Sequence, residues 1–223
     1  MSIFWRPRGC VLWFDFAELS GDTVYDLSGN GNHGTIYNCE WRRGHLVGSL
    51  YFNGENAYVE VPYSSVINPP EFTVIAFAKV MGGEGTWRSV VTSRESTPIA
   101  GYMIYASRYD RWEFWIGDGS TWRALRGPSI TMDTWYHLVA WYKDGEMRFY
   151  VNNVLYGPVS YTYVQNEECP LRVGAGLTES SPDYFFNGLI THFRIYNRAL
   201  TLREIRAHYH YLIQGYIAHP PFI

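Results

Sequence analysis

Tyr102-Met103-Ile104-Tyr105-Ala106-Ser107, Arg111-Trp112-Glu113-Phe114-Trp115-Ile116 and Trp122-Arg123-Ala124-Leu125 follow one another closely and decide the fold. Each run is short, aromatic and β-branched, and glycine or aspartate lies between the runs, the pattern of strands separated by tight turns. Residues 10–16, 46–53, 57–61, 72–78, 87–92, 135–142, 147–151, 171–173 and 185–196 read the same way. The run Phe72-Thr73-Val74-Ile75-Ala76-Phe77-Ala78 is apolar on both faces and predicts a central strand. Asn53-Gly54 and Asp144-Gly145 are dipeptides of the kind that closes hairpins. Many short strands with frequent turns predict an all-β sandwich or jelly roll.

Composition agrees. Aromatic residues are 18% of the 223, with 19 Tyr, 12 Phe and 9 Trp, which favours strands and a sizeable core. The length suits a single all-β domain spanning 1–223. A net charge of −3 with no lysine or arginine run argues against nucleic acid as a partner. No apolar run is long enough for membrane insertion, and the N-terminal residues lack the apolar core of a signal peptide. Cys10, Cys39 and Cys169 leave at least one thiol unpaired in a monomer; Cys10 and Cys39 would bridge if their strands were neighbours.

One helix interrupts the pattern. Thr201-Leu202-Arg203-Glu204 is a capping box, and Leu202, Ile205, Tyr209 and Leu212 form an apolar stripe at helical spacing. Gly215 is placed to end it, so residues 201–214 are expected to dock on the sandwich. His208 and His210 read as rim or solvent-facing residues. The apolar tail 215–223 either packs on its own domain or hooks a neighbouring copy, which keeps a homo-oligomer open.

The stretch Asp26-Leu27-Ser28-Gly29-Asn30-Gly31-Asn32-His33-Gly34 is a glycine- and asparagine-rich loop. Its composition lets the chain fold back with several oxygens inward, as calcium requires; the plain alternative is a polar turn with no ion.

The order of motifs resembles a known family. Phe14-Asp15-Phe16, the loop just quoted, Leu50-Tyr51-Phe52-Asn53-Gly54, Tyr58-Val59-Glu60-Val61-Pro62, Trp135-Tyr136-His137-Leu138-Val139, Tyr150-Val151-Asn152-Asn153 and residues 186–200 are similar to laminin G-like, concanavalin A-like domains. The resemblance spans roughly residues 10 to 206 in collinear order. It implies a jelly-roll sandwich of two curved antiparallel sheets, with Trp135 and His137 in the scaffold. It also implies a structural calcium near Asp26, Asn30, Asn32 and the His33 carbonyl. The second acidic ligand expected from such a family is here Thr191, which offers a hydroxyl and a backbone carbonyl but no charge, so the site would be weakened or left to a tighter hydrogen-bond network within the loop.

Related jelly rolls include glycan hydrolases that carry Glu-x-Asp-x-x-Glu on one strand, where the spacing puts the acids on one face. No such stretch exists here. Glu113 and Asp118 differ in strand parity, and Glu167-Glu168 face apart if extended. The chain therefore reads as a non-catalytic recognition module for carbohydrate or a glycosylated surface. Its candidate ligand residues are Trp87, Tyr102, Tyr105, Tyr109, Trp112, Trp115, Trp122 and Arg123, because sugar rings stack on aromatic faces while their hydroxyls meet polar groups. Residues three apart on a strand face opposite ways, so Tyr102 and Tyr105, and Trp112 and Trp115, each send one ring to the core and one outward. The competing readings are a virion, fibre or surface-assembly protein and, more distantly, a glycan-active hydrolase. The virion or an extracellular surface is the expected setting.

Overall fold

The computed structural model describes residues 8–43 and 48–214. In chain order its strands are β1 (Cys10–Phe14), β2 (Thr23–Val24), β3 (Gly34–Tyr37), β4 (Glu40–Arg42), β5 (Ser49–Asn53), β6 (Tyr58–Val61), β7 (Phe72–Val80) and β8 (Arg88–Ser96). They continue as β9 (Ile99–Ala106), β10 (Arg111–Gly117), β11 (Trp122–Ser129), β12 (Trp135–Lys143), β13 (Glu146–Val151), β14 (Val154–Ser160), β15 (Leu171–Val173) and β16 (Asn187–Tyr196), before a single helix, α1 (Leu202–Gln214).

The strands form two eight-stranded antiparallel sheets packed as a jelly-roll sandwich. One runs β14-β13-β12-β7-β16-β5-β4, with β1 also on β16; the other runs β11-β10-β9-β8-β15-β6-β3-β2. β7 is buried along its length except at Lys79, and it lies between β12 and β16, as a run apolar on both faces requires. Between the sheets sit Phe14, Phe52, Phe72, Tyr102, Trp112, Phe114, Phe149 and Phe186, all fully buried. Each such aromatic side chain contributes about 2–3 kcal/mol by leaving water.

The Asp144-Gly145 turn closes the β12–β13 hairpin with both residues at positive φ, 50° and 80°. Asn53-Gly54 does something else. β5 belongs to the first sheet and β6 to the second, so this turn carries the chain from one sheet to the other. The Asn53 side-chain oxygen accepts the amides of Glu55, Asn56 and Ala57 and holds the corner.

The capping box forms as expected: the Thr201 hydroxyl accepts the Glu204 amide, and the Glu204 carboxylate accepts the Thr201 amide. Glu204 also pairs with Arg198 at 2.5 Å, which holds its carboxyl down at about 2. α1 covers the outer face of the first sheet, where Ile205 joins Ile75, Val139, Trp141, Tyr150, Tyr196 and Leu200. Leu202 does not join this stripe; it is 43% exposed. His208 is also not at the rim, for its ring is bonded to Arg194 and Tyr196 on the sheet, while His210 is exposed. Gly215 and the tail 215–223 lie outside the described residues, as do residues 46 and 47 of the strand expected at 46–53.

The cysteines are not bridged. β1, which carries Cys10, pairs with β16, whereas Cys39 falls between β3 and β4, and all three thiols are free. Burial pushes the Cys10 thiol up to about 11 and Cys39 up to about 12, which favours the protonated thiol at neutral pH.

Candidate functional site

Strand parity in the second sheet sorts the expected aromatic residues. In β9, Tyr102 and Ile104 face the core while Met103 and Tyr105 face outward; in β10, Trp112 and Phe114 face in while Trp115 faces out. Tyr102 and Trp112 are thus core residues: both are fully buried, and the Tyr102 hydroxyl donates to the Ile67 carbonyl at 2.8 Å. They are withdrawn from the ligand-binding set for that reason. Trp122, at the start of β11, comes up beside Trp115 because its neighbour Ala124 is in register with that residue.

These outward rings and their surroundings line a depression of about 210 Å³ formed by Trp87, Arg94, Met103, Tyr105, Trp115, Trp122 and Tyr184. Trp87 stands nearly perpendicular to Trp115, with centroids 5.9 Å apart, and edge-on to Tyr105 at 5.3 Å. Tyr184 meets Tyr105 at 85°. Edge-to-face packing is a favoured arrangement of aromatic rings and holds the rings of this wall against one another. Gly176 permits this crowding: a Cβ there would lie 2.8 Å from the Tyr184 ring and 3.3 Å from the Tyr105 hydroxyl.

The polar groups are equally ordered. Glu113 is only 2% exposed and accepts the Trp115 indole N–H at 2.9 Å, fixing the ring's orientation. The Arg94 guanidinium lies 4.9 Å from the Trp122 ring centroid and pairs with Glu179 at 2.5 Å. Burial pushes the Tyr105 phenol up to about 12, opposed by nearby Arg94 and Thr92, and its hydroxyl is closed off from water. The depression therefore offers aromatic faces and an ion pair, with the Tyr105 hydroxyl shielded beneath them.

Tyr109 and Arg123 do not line it. Tyr109 projects from the β9–β10 turn, 59% exposed, with Arg108 bonded to its hydroxyl. Arg123 points to the other face of β11, where it pairs with Asp118 at 2.6 Å and lies over Tyr161. Asp118 is a turn residue whose carboxylate also accepts the Ser120 and Thr121 amides. Three lining residues are absent from the candidates read from the sequence. Arg94 and Met103 sit in ordinary strand positions, and Tyr184 reaches the site from a loop. Met103 alone was accessible to the parity rule that selected Tyr105.

The glycine-rich loop lies elsewhere. Asp26 is nearly buried, and its two carboxylate oxygens accept the amides of Trp13, Ser28 and Asn32 and the Ser28 hydroxyl at 2.8–3.0 Å. Asn30 and Asn32 turn their amide nitrogens to the Val11 carbonyl, and the His33 ring nitrogen accepts the Asp26 amide. Thr191 donates to the Gly48 carbonyl at 2.6 Å. In this arrangement both Asp26 carboxylate oxygens accept protein donors, and an ion bound to them would have to replace those bonds. Among the described residues no three His, Cys, Asp or Glu side chains are grouped to hold a metal.

A family model for the concanavalin A-like lectin/glucanases superfamily matches residues 53–206. The chain belongs to that superfamily. The match contains all the residues that line the depression and leaves the loop at Asp26 outside. No curated protein matches the sequence.

Solved structures repeat this superfamily fold at low identity. The binding domain of Paraclostridial Mosquitocidal Protein 1 superposes with a TM-score of 0.72 at 17% identity, over 90% of this chain and 52% of that one. Trypanosoma rangeli sialidase in complex with sialic acid gives 0.71 at 18%, over 95% and 34%. Domain 4 of an extracellular arabinanase from Geobacillus stearothermophilus, in complex with arabinotriose, gives 0.69 at 18%, over 88% and 96%. The chain thus spans about half of the first of these, a third of the second and nearly all of the third. Identities this low establish a shared fold.

Proposed function

We propose that the chain is a non-catalytic carbohydrate-recognition module whose ligand lies in the depression against Trp115, Trp122, Trp87 and Tyr105. The observation that carries this reading is the cluster of outward-facing rings beside the Arg94–Glu179 pair, which puts stacking faces and polar groups in one place. The arabinanase domain solved with arabinotriose, covered almost end to end, supports the sugar class.

Recognition rather than hydrolysis is favoured because the carboxylates near the depression are already employed. Glu113 holds the Trp115 indole and Glu179 holds Arg94, whereas glycoside hydrolysis in its usual form needs two acids flanking a bound sugar. Among the described residues no helix is long and apolar enough to cross a membrane.

A glycan array followed by calorimetry on the strongest hit tests the reading. Trp115→Ala is expected to cost about 2 kcal/mol of binding, roughly 30-fold in Kd. A blank array across broad glycan classes, or affinity unchanged in Trp115→Ala and Trp122→Ala, would overturn it.

A further inference from the structure

The depression holds one cation, and the protein spends several contacts on neutralising it. Arg94 and Glu179 are each about 15% exposed, so their 2.5 Å pair is largely shielded from water. The loop that delivers Glu179 is fixed on both sides. Thr178 accepts the Arg94 amide at 2.8 Å and returns a bond to the Arg94 carbonyl at 2.7 Å. Arg172, itself paired with Glu60, donates to the carbonyls of Leu177 and Ser180 at 2.8 Å. Glu179 therefore has little freedom to leave Arg94.

Neighbouring arginines are committed in the same way. Arg172 is consumed by Glu60 and two carbonyls, and Arg88 is fully buried against Asp110. Arg126 is exposed on β11 in register with Glu113 and does not line the depression. A sugar carboxylate is best recognised by an unpaired guanidinium that offers both N–H groups of its fork. Here it would have to draw Arg94 away from Glu179, leaving a shielded carboxylate without its partner, and would also face the buried Glu113 carboxylate behind Trp115.

Resting on the carbohydrate reading above, we propose that Glu179 is a specificity-determining residue: by holding Arg94 neutralised it confines the depression to uncharged sugars and excludes uronic and sialic acids. Arg94 then serves as a flat, ion-paired edge to the Trp122 ring.

The experiment measures Kd for a neutral oligosaccharide hit and for its matched uronate- or sialate-bearing counterpart at low and high salt. The proteins are the unaltered chain, Glu179→Gln, and Glu179→Gln combined with Arg94→Gln. The unaltered chain is expected to favour the neutral sugar at least tenfold. In Glu179→Gln the ratio of acidic to neutral affinity should rise tenfold or more and fall again with salt; the double variant should lose that gain. Thermal melting confirms that each variant is folded, and the double variant keeps the test open even if Glu179→Gln alone is unstable: its acidic-to-neutral ratio should equal that of the unaltered chain, whereas a fall would show that Arg94 already attracts acidic sugars and overturns the inference. Preference of the unaltered chain for acidic sugars, or an unchanged ratio in a folded Glu179→Gln, overturns the inference while leaving carbohydrate binding intact. Absence of binding to any sugar in every variant overturns the carbohydrate reading itself, and this inference with it.

Discussion

Arg194 and His208 meet at 3.3 Å across the seam between β16 and α1, a guanidinium against an imidazole. The contact works because the imidazole is neutral: its Nδ1 faces the guanidinium and its Nε2 lies 2.9 Å from the Tyr196 hydroxyl. His137 of β12 and His192 of β16 face the same region, and no carboxylate pairs with Arg194 among the described residues.

Acid should therefore weaken this seam. Burial, then the charge on Arg194, holds His208 well below 6.5, and burial alone takes fully enclosed His137 down from 6.5 to about 3. As pH falls below about 6.5, the unfolded chain binds protons that the folded chain refuses, so stability present above that pH is lost progressively on the way down. Each such histidine contributes a slope of about 1.4 kcal/mol per pH unit within its window. Melting temperature measured from pH 7.5 to 4.5 is expected to fall, and His208→Gln should flatten the fall. A flat profile in the unaltered protein would show that the seam tolerates charge.

The two tryptophans of β10 should separate stability from binding. Trp112→Ala empties a fully buried site and is expected to cost about 3–5 kcal/mol in denaturant unfolding. Trp115→Ala, half-buried on the outer face, should unfold within about 1–2 kcal/mol of the parent while losing sugar affinity. If both lose stability equally, the outer ring is core in all but position.

Gly176→Ala probes how tightly the aromatic wall is set. The added methyl would lie 2.8 Å from Tyr184, so that ring must shift, and Tyr105 with it. Sugar binding is expected to fall several-fold, with near-ultraviolet dichroism reporting the altered ring packing. Unchanged dichroism and affinity would mean that the wall yields freely.

The loop at Asp26 makes a different prediction. Asp26→Asn replaces an acceptor oxygen by a donor against N–H groups that already point at it, so a loss of about 3 kcal/mol is expected. With its oxygens engaged by protein donors, the unaltered chain should melt at the same temperature in excess chelator. A midpoint raised by calcium and lowered by chelator would show that the ion displaces the Asn30 and Asn32 contacts to Val11.

Half of the candidate site was legible before the fold was known. Spacing of three along a strand separates Tyr102 from Tyr105 and Trp112 from Trp115, and the sandwich sends one of each pair inward. Arg94 was not legible, because an arginine in a strand reads as a solvated edge until its partner is known. That partner, Glu179, lies in a loop brought over by β15. β14 also escaped notice: Gly157-Pro158 interrupts its pattern, and most of its side chains are exposed.

The amino-acid sequence by itself determined what depends on near neighbours: strand alternation, the Asp144-Gly145 hairpin, the capping box at Thr201 and Glu204, and the motif order of the superfamily. These rest on backbone preferences and side-chain periodicity acting over a few residues. Only the tertiary structure decided which sheet each strand joins, as the Asn53-Gly54 corner shows. It also decided which charges meet: Arg94 with Glu179, and Arg194 with His208. Pairings of that kind depend on chain segments far apart in sequence being packed together, and no local periodicity encodes the distance at which two side chains finally stand.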